Sequence, residues 1–472
     1  MTLARKLVVP SSLAALVTLA AVAAGGVAPR ATVAPPLAHA HPPSAADNRG
    51  ASGSNAEAGQ PVRDVVPGEL VVGYRRGVDR RRRADVRRRA GVRLKRTPAV
   101  PGVELVRLGP GRSPAAAGRS LERRSEVAYV EPNRFVEAAT MPNDPRFGSL
   151  WGLHNDGRPG RRDADVDAPE AWRITRGSPR VTVAVVDTGI ASGHPDLARN
   201  IWTNPGETGL GAERNGLDDD DNGYVDDSRG WDWTDDGNDP RDVLWHGSHV
   251  AGIVGARGNN GRGVAGLSWH GRLMALKVLG DRGRGFTVDV AAGFAYAGRM
   301  GARVVNASLT SDHRSQVVVD AVHSHPRTLF VVAAGNGSDG TGADNTGAPK
   351  WPCAITAPNL ICIAASDQWD RLARFSNFGL RSVDLAAPGQ RVVSTGLDHN
   401  DHPVYMSAWG TSMASPHVAG TAALLWARHP TASVGEVRQA LLSGVDRRPS
   451  LVGRTVTGGR LNARRALEEL AR

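Results

Sequence analysis

The stretch VTVAVVDTGI, residues 181–190, decides how the chain must fold. Its first six residues are apolar but for one threonine and mostly β-branched. Neither face of such a strand meets water, which is the pattern of a parallel sheet covered on both sides. The run then breaks at Asp187, Thr188 and Gly189, placing a carboxylate at the strand's carboxyl edge. Alone, Asp187 reads equally well as a turn former. Comparable runs follow at LMALKV (273–278), ARVVN (302–306), LFVVAA (329–334) and LICIAA (360–365), with helical stretches at 287–298 and 315–324. Strands alternating with helices predict an α/β fold. Its core is a doubly wound, mostly parallel sheet with the functional site at the strand carboxyl ends.

Upstream of this region the composition changes. Arg5 and Lys6 precede a long apolar stretch, and Ala38-His39-Ala40 offers an A-x-A cleavage site, with AVA at 21–23 as a competitor. Residues 1–40 therefore read as a secretory signal peptide, and 41–65, rich in Pro, Ser, Gly and Ala, as a disordered linker. Residues 66–137 alternate short strands and helices in the order βαββαβ, which predicts a small α+β domain of ferredoxin-like topology.

Charge narrows the function class. The net charge is +11, but residues 1–140 hold 23 Lys+Arg against 11 Asp+Glu, and the remainder holds 35 against 36. The basicity sits in the small N-terminal domain, above all in DRRRRADVRRRAGVRLKR (79–96). In an exported chain such a run reads as a solvated helix face and not as a nucleic-acid site. No later segment reaches transmembrane length. The two cysteines, Cys353 and Cys362, form a disulfide or remain two buried thiols.

The chemistry-bearing residues share one edge. HGSHVAGIVGA opens an apolar helix with His246, and His249, about one turn on, reads as a packing residue. LFVVAA runs into GNG and puts Asn336 at a strand end. WGTSMASPHVAG (409–420) opens a helix that is small and apolar nearly all round, with Ser412 at its start and Pro416 read as a first-turn proline. A lone serine there is a helix cap. With Asp187, His246 and Asn336 on the same edge, an acid, a base, an oxyanion donor and a nucleophile are assembled.

On VVDTGI, HGSHVAG, AAGN and GTSMASPHVAG the chain resembles the subtilisin family (subtilases) of serine endopeptidases. The likeness runs from PNDPRFGSLWGL (142–153) to GGRLNARRAL (458–467). Residues 66–137 are similar to the inhibitory propeptide of such enzymes. The resemblance implies a subtilisin-like peptidase domain over 141–472, secreted and monomeric, that hydrolyses proteins and peptides through an acyl-enzyme. In it Asp187 orients His246, His246 takes the proton of Ser412, and the Asn336 amide joins the Ser412 N–H in an oxyanion hole. Ser308, Leu309 and Thr310 would wall the P1 pocket together with Ala333, Ala334 and Gly335. Gly283 to Phe286, Gly285 included, would offer an edge to the substrate backbone. It also implies self-cleavage between about Glu137 and Pro142, leaving the tail VEPNRFVEAAT (130–140) in the cleft, with activity rising near the unperturbed imidazole range.

Calcium is expected at two places. By resemblance, Asp144, Asp196 and Asn260 match the side-chain ligands of a site that clips the mature N-terminus to the body. From the residues themselves, GLDDDDNGYVDD (216–227) follows the opening of a calcium loop, with Asp218, Asp220, Asn222, Gly223 and the Tyr224 carbonyl. Its twelfth position is Arg229, so Asp226 or Asp227 would have to complete the shell; the alternative is a solvated acidic insert. A further family site near Asp232 and Asp239 is impaired by Gly237 and Arg241. Other departures are Trp245 and Ser248 around the expected base, Trp409 before the nucleophile, and Thr310 in the pocket. Each tryptophan either turns outward or narrows the leaving-group side of the cleft. An inactive binding module with the same fold is the competing reading, and a dibasic-site convertase finds no acidic pocket lining to support it.

Overall fold

The computed structural model describes residues 65–134, 141–209 and 211–472. The expected signal peptide, almost all of the linker, and the end of the propeptide tail lie outside the described residues. The N-terminal domain runs β1 (Val65–Tyr74), α1 (Arg80–Ala90), β2 (Val92–Arg96), β3 (Val103–Leu108), α2 (Pro114–Glu122) and β4 (Val127–Arg134). Its antiparallel sheet has the order β2-β3-β1-β4, the expected ferredoxin-like arrangement. Asp79 caps α1 by accepting the Arg82 N–H at 2.8 Å, and Gly91 ends it in the left-handed region. Only Val86 and Ala90 of α1 are buried, so the arginine run is a solvated face apart from Arg87, which pairs with Glu104.

The larger domain begins with α3 (Ala168–Trp172) and continues through β5 (Thr182–Asp187), β6 (Gly230–Asp232), α4 (His246–Gly255), β7 (Arg272–Lys277) and α5 (Thr287–Arg299). Then come β8 (Val304–Ala307), α6 (Gln316–Ser324), β9 (Leu329–Ala333), β10 (Leu360–Ser366) and β11 (Leu385–Pro388). A separate hairpin, β12 (Val392–Leu397) and β13 (Pro403–Ala408), precedes α7 (Thr411–Arg428) and α8 (Val434–Ser443). Short strands β14 (Asp446–Arg447) and β15 (Gly459–Arg460) and α9 (Ala463–Leu470) complete the domain.

Nine strands form one sheet in the order β14-β15-β11-β10-β9-β8-β5-β7-β6, parallel except for the β14–β15 pair. The uninterrupted apolar runs follow from burial on both faces. Val183 and Val185 point into a core shared with α4 and α7, while Ala184 and Val186 point into a second core with α5 and α6. Strand order reverses at β5, with β7 on one side and β8 on the other. That switch point opens a crevice at the carboxyl ends.

Helix α7 is buried almost along its length. Gly410 is its N-cap and the helix begins at Thr411, so Pro416 lies beyond the first turn, further in than the sequence suggested. Proline has no N–H for the carbonyl one turn back, which leaves the Ser412 C=O unpaired within the helix. The Ser308 hydroxyl, at the end of β8, donates to that carbonyl at 2.9 Å. The helix that carries Ser412 is thus tied to the strand end beside it. Cys353 and Cys362 are bonded to each other, with Cα atoms 5.2 Å apart.

Candidate active site

Asp187 ends β5 and is fully buried. Its Oδ1 accepts the Thr188 N–H at 2.8 Å and lies 2.6 Å from His246 Nδ1. His246 opens α4, and the residue before it, Trp245, has φ +94°. A bulky residue in that conformation costs about 1–3 kcal/mol. Asp242 holds the turn. Its buried carboxylate accepts N–H groups of Leu244 at 2.9 Å, Trp245 at 3.0 Å and Ser248 at 2.8 Å, and the Thr188 hydroxyl at 2.8 Å. Hydrogen bonds to a charged group contribute about 1.5–3 kcal/mol each, enough to outweigh the strain. Ser248 accepts the Ala191 N–H at 2.9 Å.

Burial alone would depress the basicity of His246, but the charge and hydrogen bond of Asp187, with a contribution from Asp242, overcome it and raise its pKa above the ordinary imidazole value. The neighbouring His249 and His417 are pushed down by burial, to about 3 and about 4, and stay neutral. His249 packs as expected, its Nε2 within hydrogen-bond reach of the Val392 and Met406 carbonyls.

Asn336 follows β9 at the crevice. Its Oδ1 accepts from Thr411 N at 3.0 Å and from the Thr411 hydroxyl at 3.2 Å, which fixes the amide and leaves Nδ2 for the cleft. Ser412 sits in the first turn of α7, where the helix dipole favours developing negative charge. In this structure its Oγ donates to the Ser308 carbonyl at 3.1 Å. The four residues come from β5, α4, the β9 edge and α7, and the last three line one cleft of about 530 Å³.

The expected substrate residues Ser308, Leu309, Thr310, Ala333, Gly335, Gly283 and Gly285 line this cleft, as does Phe286. Ala334 does not. It is fully buried in the core facing α5 and α6, and its carbonyl accepts from Asn345 at 2.8 Å, because alternate residues along an extended segment face opposite sides. Gly335 is required twice over: φ is +93°, and a Cβ would lie 3.0 Å from Asn377 Nδ2. Trp351, Pro352 and Ile355 supply a wall that the sequence did not announce, and the disulfide anchors it to β10. The two tryptophans behave differently. Trp245 lines the cleft with its ring 5.6 Å from that of His246, whereas Trp409 is 61% exposed and packs at a tilt against Phe375, ring centroids 5.0 Å apart.

The structure brings Asp144, Asp196 and Asn260 together. Asp144 accepts the N–H groups of Asn259 at 2.6 Å and Asn260 at 3.3 Å, and Asp196 accepts from Asn260 Nδ2 at 2.9 Å and Val264 N at 2.9 Å. Burial and then the nearby Asp196 charge push the Asp144 pKa up. Two buried carboxylates with neutral hydrogen-bond partners fit a hard oxygen-seeking cation, and the Asn260 amide would have to turn over to join them, because its Nδ2 faces Asp196 and its Oδ1 accepts the Arg262 N–H at 2.8 Å. In the acidic insert the expected ligands divide. Asp218 accepts the Asn222 and Gly223 N–H groups, Asn222 Oδ1 accepts the Tyr224 N–H, and Asp220 points instead toward Asp227 and Glu207. Glu207 was not anticipated. Asp232 is bonded by the buried Lys277 ammonium at 2.5 Å.

Comparison with known proteins identifies the family. Residues 178–458 match the subtilase family and residues 51–133 match the fervidolysin N-terminal prodomain. A thermophilic serine proteinase of Bacillus sp. (strain AK1) is 36% identical over 359 residues, covering 75% of each chain. Thermitase of Thermoactinomyces vulgaris is 35% identical over 332 residues, 69% of this chain and 99% of that one. Among solved structures, a protease from Pseudoalteromonas arctica PAMC 21717 superposes with a TM-score of 0.56 at 29% identity, covering 70% of this chain and 100% of the other.

Proposed function

Because this chain belongs to the subtilase family of serine endopeptidases and carries an N-terminal prodomain, we propose that Asp187, His246 and Ser412 are its catalytic triad and Asn336 its oxyanion donor. The observation that carries the assignment is the short Asp187–His246 hydrogen bond next to a helix N-terminus bearing Ser412. In the reaction the Ser412 hydroxyl turns from the Ser308 carbonyl to His246 Nε2 and attacks the scissile carbonyl. His246 takes the proton and passes it to the leaving amine. Asp187 holds the Nδ1–H tautomer and stabilises the imidazolium. The Asn336 Nδ2–H and the Ser412 N–H receive the oxyanion, and water then releases the acyl group. A fluorophosphonate probe labelling Ser412 in the mature protein tests the nucleophile; an unlabelled, folded protein would sink it.

Two expectations follow from the geometry. Asn336→Ala should lower kcat by about 10²–10³ with little change in KM, since the amide serves charge that exists only in the transition state. A change confined to KM would remove Asn336 from the role. The base works only when neutral, and the pKa of His246 is raised, so kcat/KM should climb with pH through a midpoint above the ordinary value of about 6.5. A midpoint below pH 6 would contradict the arrangement. His249 and His417, neutral throughout, add no second inflection in this range.

The same reading makes the protein a secreted zymogen. The signal-like residues 1–40, and the prodomain read as an intramolecular inhibitor removed by a cut between about Glu137 and Pro142, support it. No described helix is long and apolar enough to cross a membrane. Calcium is proposed as a structural ion held by Asp144, Asp196 and Asn260, where it would neutralise the two buried carboxylates. The loop of Asp218, Asp220, Asn222 and the Tyr224 carbonyl is the second proposed place for it.

A further inference from the structure

We propose that Arg284 makes the cleft select acidic peptides, those that carry a carboxylate among the residues preceding P1. This selectivity rests on the triad reading and names the substrate class of the same cleft. Of the described residues that line the cleft, Arg284 alone carries a permanent charge. His246 and His313 are the other ionisable side chains of that lining, which includes no aspartate or glutamate. The walls of the P1 pocket, Thr310 with Trp351, Pro352 and Ile355, are uncharged. A charge brought by the substrate therefore finds its counterpart in Arg284 and not in the P1 pocket.

The backbone that carries Arg284 is fixed. The Gly280 N–H donates to the Arg284 carbonyl at 2.9 Å, and the Gly283 N–H donates to the Gly280 carbonyl at 2.9 Å. Gly283 has φ +64°, and a Cβ there would lie 3.4 Å from Leu244, on the segment that leads into His246. A Cβ on Gly285 would lie 1.8 Å from the Val278 carbonyl, so the loop is pressed onto the chain leaving β7. The Arg284 side chain, by contrast, is exposed, and its guanidinium has no hydrogen-bond or ion-pair partner among the described residues. Asp281 and Arg282 on the same loop offset each other in charge, which leaves the loop net positive. An unpaired guanidinium on a fixed loop matches a carboxylate in paired hydrogen bonds and repels a lysine or arginine in the same place.

The chain's own expected cleavage segment fits this chemistry. The cut is expected between about Glu137 and Pro142, and FVEAATM (135–141) bears a single charge, that of Glu137. The surrounding sequence is strongly basic, with 23 Lys+Arg against 11 Asp+Glu over residues 1–140. In that setting the first peptide offered to the cleft brings an acid and no cation.

The test uses the mature enzyme and three internally quenched fluorescent peptides built on residues 135–142, FVEAATMP. They carry Glu, Gln or Lys at the position of Glu137. In kcat/KM the Glu peptide should exceed the Gln peptide about threefold and the Lys peptide at least about tenfold, the scale of a partly exposed ion pair and of the matching repulsion. The preference should shrink in about 1 M sodium chloride. Arg284→Lys should keep the order, Arg284→Ala should level it, and Arg284→Glu should invert it in favour of Lys. Ratios are compared within each protein, so a general loss of activity does not imitate the effect. A small uncharged fluorophosphonate, which reacts at Ser412 without reaching Arg284, reports the triad separately. Labelled enzyme with the same Glu-to-Lys ratio in the parent and in Arg284→Glu overturns the selectivity and leaves the triad standing. The same holds for labelled enzyme that cuts none of the peptides or prefers Lys, and for a preference that Arg284→Ala retains. Folded protein that takes no label overturns the triad, and the selectivity falls with it.

Discussion

Ser412→Ala is expected to lower kcat by about 10⁶, because the triad acts as a unit and its loss leaves only binding and oxyanion stabilisation. The same substitution should leave the precursor uncut. Maturation is expected between about Glu137 and Pro142, and a chain whose own nucleophile makes that cut cannot mature without it. The measurement is electrophoresis and intact mass of purified Ser412→Ala protein beside the parent, without added protease. A mature-sized product from the variant would show that another protease does the processing, and a residual rate within a hundredfold of the parent would remove Ser412 as nucleophile. The fold should survive, because the Ser412 carbonyl, not its hydroxyl, receives the Ser308 hydrogen bond that replaces the missing Pro416 donor.

Asp187→Asn should cost about 10⁴ in kcat with the fold intact. In the proposed triad the carboxylate at 2.6 Å from His246 Nδ1 holds the proton on that nitrogen, which would leave Nε2 as the acceptor for Ser412. An amide in its place can donate to Nδ1 and force the proton onto Nε2, the wrong tautomer for a base. The pH profile separates this from simple damage. The Asp187 charge and hydrogen bond raise the His246 pKa against the opposing effect of burial. Without the charge, burial dominates, and the midpoint of the residual activity should move down. A loss of activity with an unmoved midpoint would mean that Asp187 only shapes the turn, as its sequence context alone allows.

Much of this was legible before any coordinates. The strands that are covered on both faces announce themselves as unbroken apolar runs, and each expected one is present. The residues following them, Asp187 and Asn336, needed only the rule that parallel sheets act at their carboxyl edges. What stayed hidden depends on contacts between distant segments. Glu207 lies outside the acidic loop, and nothing local marks it as facing Asp220. Asp242 looks like any surface aspartate until four donors are seen to converge on it. Nothing in the sequence separates Ala334 from its neighbours Ala333 and Gly335, because a run of three residues does not say which one faces inward. Pro416 lies a turn further into its helix than the sequence suggests, since the helix start is set by Gly410 and by Asn336 receiving the Thr411 N–H. Strands β14 and β15 have two residues each and carry no pattern to read.

The chain order of the site carries a consequence for the life of the molecule before it is complete. Asp187 and His246 meet across 59 residues of chain, and the contact of Ser412 with Ser308 spans 104. A chain emerging N-terminus first acquires the proposed acid, base and oxyanion amide while the proposed attacking atom has yet to be synthesised. The helix bearing Ser412 finds its seat only on β8 to β11, beside α4, once those are assembled. A fragment ending between residues 337 and 411 carries Asp187, His246 and Asn336 but lacks both the Ser412 hydroxyl and the Ser412 N–H, so on the proposed assignment it cannot cut.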